Sequence, residues 1–481
     1  MYPVRCCSLF IQKDLSALCV SSLPSALKHT LCPASVPVRL SSVSSNTLCP
    51  APVPVRLSSV SSNTLCPAPV PVRLSSVSSN TLCPAPVPAV TRRGVSRVSR
   101  VSSNTHICSS PSLLSVCQMG SSSVRLFSSL AQSLSSAPLE ATHTHADECD
   151  FEQVDPETLL RECEEVLRTR PPRPHRDFTR TRASAKHNPQ IRVMQWNILA
   201  QALGEGKDGF VRCPMEALNW AERKYLILEE ILTYRPDIVC LQEVDHYYDT
   251  FQPVMSSLGY QSSFCPKPCS PCLDVRGNNG PDGCALFFNR ERFRLLDVHH
   301  LRLSAMAIKT NQVAVMATLQ CQVTGRVFCV AVTHLKARSG WETLRGAQGA
   351  NLLQQLKAIL STQQEAVPLV VCGDFNAEPD EEVYRRFLDS PLGLDSAYRT
   401  LSADGSTEPS YTTWKIRPSG ESRSTLDYVW YTRNGFSVDA VLSMPSEEQI
   451  GPDRLPSYHY PSDHLSLICD FSFIQEPHRL M

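Results

Sequence analysis

The sequence contains no apolar run approaching the 18 or more residues that a membrane-spanning helix needs. It therefore predicts no transmembrane helix and no stable membrane insertion. Acidic residues are nearly missing from the first 145 positions, which hold only Asp14 and Glu140 against eleven Lys and Arg. The remaining residues carry nine more acids than bases, so the net charge of zero conceals two regions of opposite charge. One uniform globular protein is excluded.

A compact disulfide framework is also lacking, because the 21 cysteines are spread unevenly along the chain. Cys240 and Cys372 lie in strongly apolar, strand-like runs, where a free thiol behaves as a small buried hydrophobe. This pattern favours a reducing compartment. The number of cysteines would suffice for a zinc site at Cys265, Cys269, Cys272 and Cys284. Their spacing and the interleaved prolines match no common zinc motif, which makes that alternative weak.

Residues 1–145 are predicted to be a disordered, repetitive, basic leader. Near-identical 17-residue copies bring a cysteine at each step, and their Pro-x-Pro steps and serine tracts leave too little apolar surface for a folded core. An Arg- and Ser-rich segment with few acids is typical of mitochondrial transit peptides, and the stretch after Met119 repeats this signature. We expect mitochondrial and cytoplasmic locations, with Met1 and Met119 as alternative starts.

An acidic helix and a linker are predicted for residues 146–188. Leu159, Leu160, Cys163 and Val166 lie on one side of the predicted helix, which ends before the prolines that begin at Pro171. A catalytic domain of layered α/β order is expected at 189–475, since apolar strand-like runs there, among them 191–197 and 327–334, alternate with amphipathic helices around 216–234 and 345–360.

Polar residues stand repeatedly where these apolar runs begin or end. One or two carboxylates with other oxygen ligands suit Mg²⁺, and a carboxylate beside an imidazole suits phosphoryl chemistry. In Asp374-Phe-Asn376, alternation along a strand predicts that both polar side chains lie on the same face. Any one such residue is more often a turn or cap residue. Their ordered combination favours a hydrolytic site built from Asn197, Glu243, His334, Asp374, Asn376, Asp427, Asp463 and His464.

Six motifs in this order resemble those of the endonuclease/exonuclease/phosphatase superfamily, which includes the Ccr4-type deadenylases. The motifs are Gln-Trp-Asn197, Leu-Gln-Glu243, Thr-His334-Leu, Gly-Asp374-Phe-Asn376, Thr-Leu-Asp427 and Pro-Ser-Asp463-His464. The resemblance implies a four-layered α/β sandwich, in which two packed, mostly antiparallel sheets are flanked by helices.

The same resemblance implies a role for each residue. Mg²⁺ would bind Glu243 with help from Asn197, which we also expect to contact the substrate, and we include Asp463 among the metal ligands. Asp374 and Asn376 would activate water. His334 and His464 would bind phosphate, with the latter oriented by Asp427.

Longer segments at 197–208, 279–288 and 333–341 resemble one member of the superfamily, linked to metabolic and circadian regulation, that removes the 2′-phosphate of NADP⁺ and NADPH. The resemblance assigns Lys267, Lys336 and Arg338 to the substrate's phosphates, although solvated surface positions are the alternative for all three. RNA is a less favoured partner, since the acidic C-terminal region has no Lys/Arg run. A poly(A)-specific exoribonuclease, an inositol-phosphate or lipid phosphatase, and a noncatalytic interaction protein remain as alternatives.

Overall fold

The computed structural model describes residues 153–181, 189–363 and 365–474. The prediction for residues 1–145 lies outside these residues. Helices are found at α1 (Pro156–Leu167), α2 (Gln201–Gly204), α3 (Met215–Leu218), α4 (Trp220–Tyr234), α5 (Gln252–Ser257), α6 (Glu342–Leu360), α7 (Glu382–Leu388) and α8 (Glu447–Ile450).

Fifteen strands form the sheets of the described part of the chain. They are β1 (Phe178–Arg180), β2 (Ile191–Asn197), β3 (Ile238–Val244), β4 (Tyr260–Pro266), β5 (Gly283–Asn289), β6 (Phe293–Ala305), β7 (Ile308–Cys321), β8 (Val327–His334), β9 (Leu369–Asp374), β10 (Leu394–Ser396), β11 (Thr413–Arg417), β12 (Gly420–Ser424), β13 (Asp427–Thr432), β14 (Phe436–Leu442) and β15 (Leu467–Phe473).

Two large sheets carry the fold. Seven strands pair in the order β1-β14-β15-β2-β3-β5-β4, and six pair in the order β10-β13-β9-β8-β7-β6, while β11 and β12 form a separate hairpin. Most neighbours are antiparallel, but β2 with β3 and β8 with β9 are parallel. The predicted architecture of two mostly antiparallel sheets flanked by helices is confirmed.

Strand alternation explains the four layers. Val193 and Ile238 of the first sheet share a core with Val330 and Val370 of the second. The opposite face of the first sheet packs on α4, and that of the second packs on α6 and α7. Each sheet is therefore covered on both faces, which matches its strongly apolar strands.

The segment before the catalytic domain is integrated with it more closely than the sequence suggested. Helix α1 begins after Asp155, whose side chain accepts a hydrogen bond from the Thr158 amide, and its residue Cys163 packs in one cluster with Leu228 of α4. The expected linker also supplies β1, which pairs with β14. The three residues Phe178–Arg180 are too few for their sequence to predict a strand, and the strand is recognised only from its pairing with β14.

Other differences concern element boundaries. The helix predicted from 216 to 234 is divided at Asn219, whose side chain caps α4 by accepting from the Ala221 amide. No helix in the described part of the chain is both long and apolar enough to cross a membrane.

Candidate active site

The sheet register brings the predicted polar residues to one edge. The parallel strands β8 and β9 align His334 with Asp374, and the antiparallel pair β9 and β13 aligns Asp374 with Asp427. Asn197 and Glu243 occupy the carboxyl ends of the parallel strands β2 and β3. Residues far apart in sequence therefore meet where several strands end, a usual place for a site in such scaffolds.

Asn197 links the two sheets at the centre of this edge. Its side-chain amide donates hydrogen bonds to Glu243 Oε1 at 3.1 Å and to Asp374 Oδ2 at 3.0 Å. Glu243 has a left-handed backbone with φ of 58°, at a break in the β3–β5 register. Such a conformation is costly for a residue with a Cβ and is concentrated at functional sites.

The two carboxyl groups beside Asn197 are difficult to ionise together. Withdrawal from water raises the pKa of Glu243 to about 7, against the opposing charge of Lys267. Burial also raises the pKa of Asp374 to about 6, although His464 opposes it. Carboxyl and amide oxygens thus meet at one buried point, so the residues present fit a divalent cation, for which Glu243 and Asn197 would be protein ligands.

His464 and Asp427 form a buried ion pair. His464 Nδ1 lies 2.8 Å from Asp427 Oδ2, and its Nε2 lies 3.8 Å from Asp374 Oδ2. Asp427 also accepts hydrogen bonds from Gln195 and from the Thr412 hydroxyl. Burial opposes the charged imidazole, yet Asp427 and then Asp374 raise the pKa of His464 to about 9. His464 is therefore cationic at neutral pH.

His334 is held in the neutral form by its surroundings. Burial and the charge of Lys267 place its pKa well below the ordinary value. The Lys267 ammonium can only donate, and it lies 3.3 Å from Nδ1, so the proton of His334 is on Nε2, which lies 3.5 Å from Asp374 Oδ2.

Lys267 is the least expected member of the site. Its side chain is 7 % exposed and its ammonium lies 2.6 Å from the fully buried Asp282 carboxylate. Burial opposes its charge, but Asp282 and Glu243 raise its pKa. The alternative of a solvated surface lysine is wrong. The loop sequence Cys-Pro-Lys-Pro-Cys carried no sign of the partner, since Asp282 comes 15 residues later.

Lys336 and Arg338 lie on the loop that follows β8. Lys336 is half-buried, with its ammonium 5.4 Å from the centre of the Trp341 ring, whereas Arg338 is exposed. Burial, followed by the charges of Arg338 and Lys267, lowers the pKa of Lys336. The charge of Lys336 also lowers the pKa of His334, so Lys336 lies near that imidazole and Arg338 lies near Lys336.

Asn376 does not share a strand with Asp374 as the alternation argument expected. Strand β9 ends at Asp374, and Asn376 has a left-handed φ of 51° with its amide nitrogen donating to Asp374 Oδ1 at 2.8 Å. Its side chain donates to the Leu335 carbonyl at 3.3 Å. The two residues are joined by a turn instead of by a common strand face.

Two further cations, which the sequence analysis missed, engage Asp463. Lys415 Nζ lies 2.5 Å and an Arg417 nitrogen 3.6 Å from Asp463 Oδ2. Lys415 and Arg417 are alternate residues of β11, and this spacing in Thr-Trp-Lys-Ile-Arg was the signal available. Although burial opposes it, Lys415 lowers the pKa of Asp463. The role of Asp463 as a metal ligand stays a prediction.

Within the described residues, one cluster of at least three side chains has the geometry to hold a metal, namely Asp374, Asp427 and His464. The cysteines of the zinc alternative have separate partners: Cys272 Sγ lies 3.7 Å from Asp282 Oδ1, and Cys284 Sγ lies 3.7 Å from the Val313 carbonyl. Because the cationic His464 has both ring nitrogens protonated, it has no lone pair for a metal, and the oxygen ligands of this region are the ones that suit a cation.

Comparison with known proteins agrees with this geometry. The model of the endonuclease/exonuclease/phosphatase family matches residues 194–464. Nocturnin of Mus musculus is 62 % identical over 371 residues, which cover 76 % of this chain and 86 % of that protein. The chain belongs to the nocturnin branch of the endonuclease/exonuclease/phosphatase family. The resemblance inferred from the six motifs is thereby confirmed.

Solved structures and more distant relatives extend the comparison within this family. The human nocturnin catalytic domain with a bound sulfate anion is 58 % identical, with a TM-score of 0.54, and the match covers 64 % of this chain and all of that one. ANGEL2, a 2′,3′-cyclic phosphatase in complex with adenosine-2′,3′-vanadate, is 25 % identical with a TM-score of 0.52, over 62 % and 99 % of the two chains. The Ccr4 exoribonuclease subunit of Yarrowia lipolytica is 28 % identical over 54 % of this chain and 45 % of its own length.

Membership of the endonuclease/exonuclease/phosphatase family makes the protein a hydrolase of the nuclease and phosphatase type. Enzymes of this family typically depend on a divalent metal, in agreement with the oxygen-rich centre around Asn197.

Proposed function

We propose that the protein is a Mg²⁺-dependent phosphatase that removes the 2′-phosphate from NADP⁺ and NADPH, giving NAD⁺ and NADH. The observation that carries the proposal is the buried Lys267 beside His334, with Lys336 and Arg338 on the adjoining loop. A terminal phosphate carries close to two negative charges near neutral pH, whereas a phosphodiester carries one. A concentrated group of cations favours the terminal phosphate.

The reaction breaks the bond between phosphorus and the ribose 2′-oxygen. The oxygen of a water molecule bonds to phosphorus in line with the departing 2′-oxygen. This water loses a proton to a group of the site, and the departing 2′-oxygen gains a proton. Asp374 is oriented for contact with this water by the Asn197 amide and the Asn376 backbone. Bound Mg²⁺ would supply charge neutralisation at the phosphoryl oxygens.

His464 and His334 have different roles in this scheme. The cationic His464, fixed by Asp427, donates to a phosphoryl oxygen and stabilises its developing charge. The neutral His334 is held in one tautomer by Lys267, with its Nε2 proton directed toward the same region as Asp374. Each imidazole therefore contributes a preorganised donor.

The relatives support an adenosine-bearing substrate. Nocturnin is similar over most of the chain, and the 2′,3′-cyclic phosphatase ANGEL2 forms a complex with adenosine-2′,3′-vanadate. The similarity to Ccr4, an exoribonuclease subunit, favours poly(A) shortening as the second candidate. Both reactions hydrolyse a phosphorus bond at an adenosine ribose, so one centre could serve either.

Phosphate release from NADPH and NADP⁺, measured beside shortening of an A-tailed RNA, tests this proposal. The full chain is assayed with Mg²⁺, and Glu243→Ala controls for contaminating nucleases. We expect the wild-type protein to release phosphate from NADPH and to leave the RNA intact, and we expect Glu243→Ala to release no phosphate. RNA shortening that the substitution abolishes, with NADPH untouched, would replace the phosphatase proposal by the deadenylase one.

We further propose mitochondrial and cytoplasmic locations, supported by the Arg- and Ser-rich composition before residue 146. Fusions of residues 1–146 and 119–146 to a fluorescent reporter test this proposal. Mitochondrial import of at least one fusion is expected. A diffuse cytosolic signal from both would remove the mitochondrial part.

A further inference from the structure

A single buried arginine holds the loop that carries Lys336 and Arg338. Arg345, which is 2 % exposed, lies in the first turns of α6. One of its terminal nitrogens donates to the Lys336 carbonyl at 3.2 Å and to the Arg338 carbonyl at 2.7 Å. The guanidinium thus binds the backbone at both of the loop residues that carry these cations.

The other edge of the same guanidinium binds Glu381. Nε lies 2.9 Å from Oε2, and the second terminal nitrogen lies 2.7 Å from Oε1. This two-bond geometry is the strongest that arginine forms with a carboxylate. Glu381 follows Asp374 by seven residues, on the loop between β9 and α7, so Arg345 connects the loops after two adjacent strands.

The held loop has a conformation that requires support. Arg338 has a φ of 82°, a left-handed conformation that is unfavourable for a residue with a Cβ. The Lys336 amide is fixed separately, because it donates to Gln348 Oε1 at 3.1 Å while the Gln348 amide donates to Gln312 at 2.7 Å. Helix α6 therefore anchors both the donor and the acceptor groups of this loop.

We propose that Arg345 and Glu381 are positioning residues that set the placement of Lys336 and Arg338 against the substrate's phosphates. This inference rests on the proposed function, since it assigns those two cations to substrate binding. The pair acts through the loop and does not touch the reacting atoms. Its removal is expected to weaken substrate binding more than the chemical step.

Two variants separate positioning from simple stabilisation. Glu381→Gln keeps the shape of the side chain but removes the nearer of the two carboxylates beside the guanidinium, since the half-exposed Glu342 lies 3.5 Å away and Glu381 lies 2.7 Å away. Arg345→Lys keeps a cation for Glu381 but cannot donate to both carbonyls as well, because it lacks the planar fork. Glu382→Gln is the matched control, since the adjacent Glu382 forms an exposed pair with Arg386 on the surface of α7.

Steady-state phosphate release from NADPH by the full chain gives kcat and KM, and thermal unfolding checks that each variant is folded. We expect Glu381→Gln and Arg345→Lys to raise KM about tenfold, the effect of losing a hydrogen bond to a charged group, with kcat within about twofold. Glu382→Gln should leave both constants unchanged. In a Lys336→Ala/Arg338→Ala background, Glu381→Gln should raise KM by less than about twofold, because its effect acts through those side chains.

An unchanged KM in both folded variants would overturn the positioning role while leaving the phosphatase proposal intact. The positioning role would also be overturned if Glu381→Gln raised KM by the same factor in the wild-type and in the Lys336→Ala/Arg338→Ala backgrounds. If the wild-type chain shortens RNA and leaves NADPH untouched, the proposed function fails, and the same variants are then compared by their KM for A-tailed RNA.

Discussion

Substitution of Asp427 by Asn tests how the site keeps His464 charged. The carboxylate is the main source of the raised pKa of that imidazole, and Asn removes the charge while its amide group introduces a donor. In the native site Asp427 accepts hydrogen bonds from Gln195, Thr412 and His464. The side-chain NH₂ group of an asparagine at this position would therefore face one of these donors. We expect both the charge and the orientation of His464 to be lost.

The size of the effect follows from the pKa. The pKa of His464 is raised from its ordinary 6.5 to about 9, which at about 1.4 kcal/mol per pH unit corresponds to stabilisation on the order of 3 kcal/mol. Because the folded-state pKa is the higher one, this stabilisation is complete below about pH 6.5 and is lost as the pH rises through 9. In Asp427→Asn burial still opposes the charged imidazole and only the smaller contribution of Asp374 supports it, so the pKa of His464 falls below that of the wild type.

Histidine titration by NMR in the metal-free full chain measures this change, and phosphate release at pH 7.5 measures its consequence. We expect Asp427→Asn to lower kcat by about 100-fold, in the lower range of positioned acid–base groups, and to confine residual activity to acidic pH. Asp470→Asn is the control, because Asp470 forms an ion pair with Arg192 outside the site. A His464 that still titrates near pH 9 in Asp427→Asn would refute the reasoning.

The remaining predictions concern the metal ligand and the cations. Glu243→Ala should abolish turnover through loss of Mg²⁺ binding, measured by calorimetry; full activity at millimolar Mg²⁺ would contradict this role. Lys267→Met should destabilise the fold by about 3 kcal/mol in urea unfolding, because it leaves the buried Asp282 carboxylate unpaired, and a stability equal to the wild type would exclude that account. Lys336→Ala and Arg338→Ala should each raise the KM for NADPH about tenfold with little change in kcat, whereas a selective loss of kcat would place these residues in the chemical step.

Much of the fold was predictable because local pattern and tertiary structure agree in the central strands. The apolar runs at Ile191–Asn197 and Val327–His334 were predicted with the bounds that the structure has. Long edge strands such as β6 were not predicted, because their partly exposed faces lack a continuous apolar run. The short β1 depends on its partner strand for its existence.

The sequence by itself determined which polar groups stand at the strand ends, and it therefore predicted Asn197, Glu243, His334, Asp374 and His464 as site residues. It could not show which charges they meet, because electrostatic partners are set by distance in space and not along the chain. Only the tertiary structure placed Lys267 against Asp282, Lys415 and Arg417 against Asp463, and Asn376 in a turn beyond its strand. The packed site then set the protonation of each imidazole, since burial and Lys267 lower the pKa of His334 whereas Asp427 overcomes burial and raises the pKa of His464.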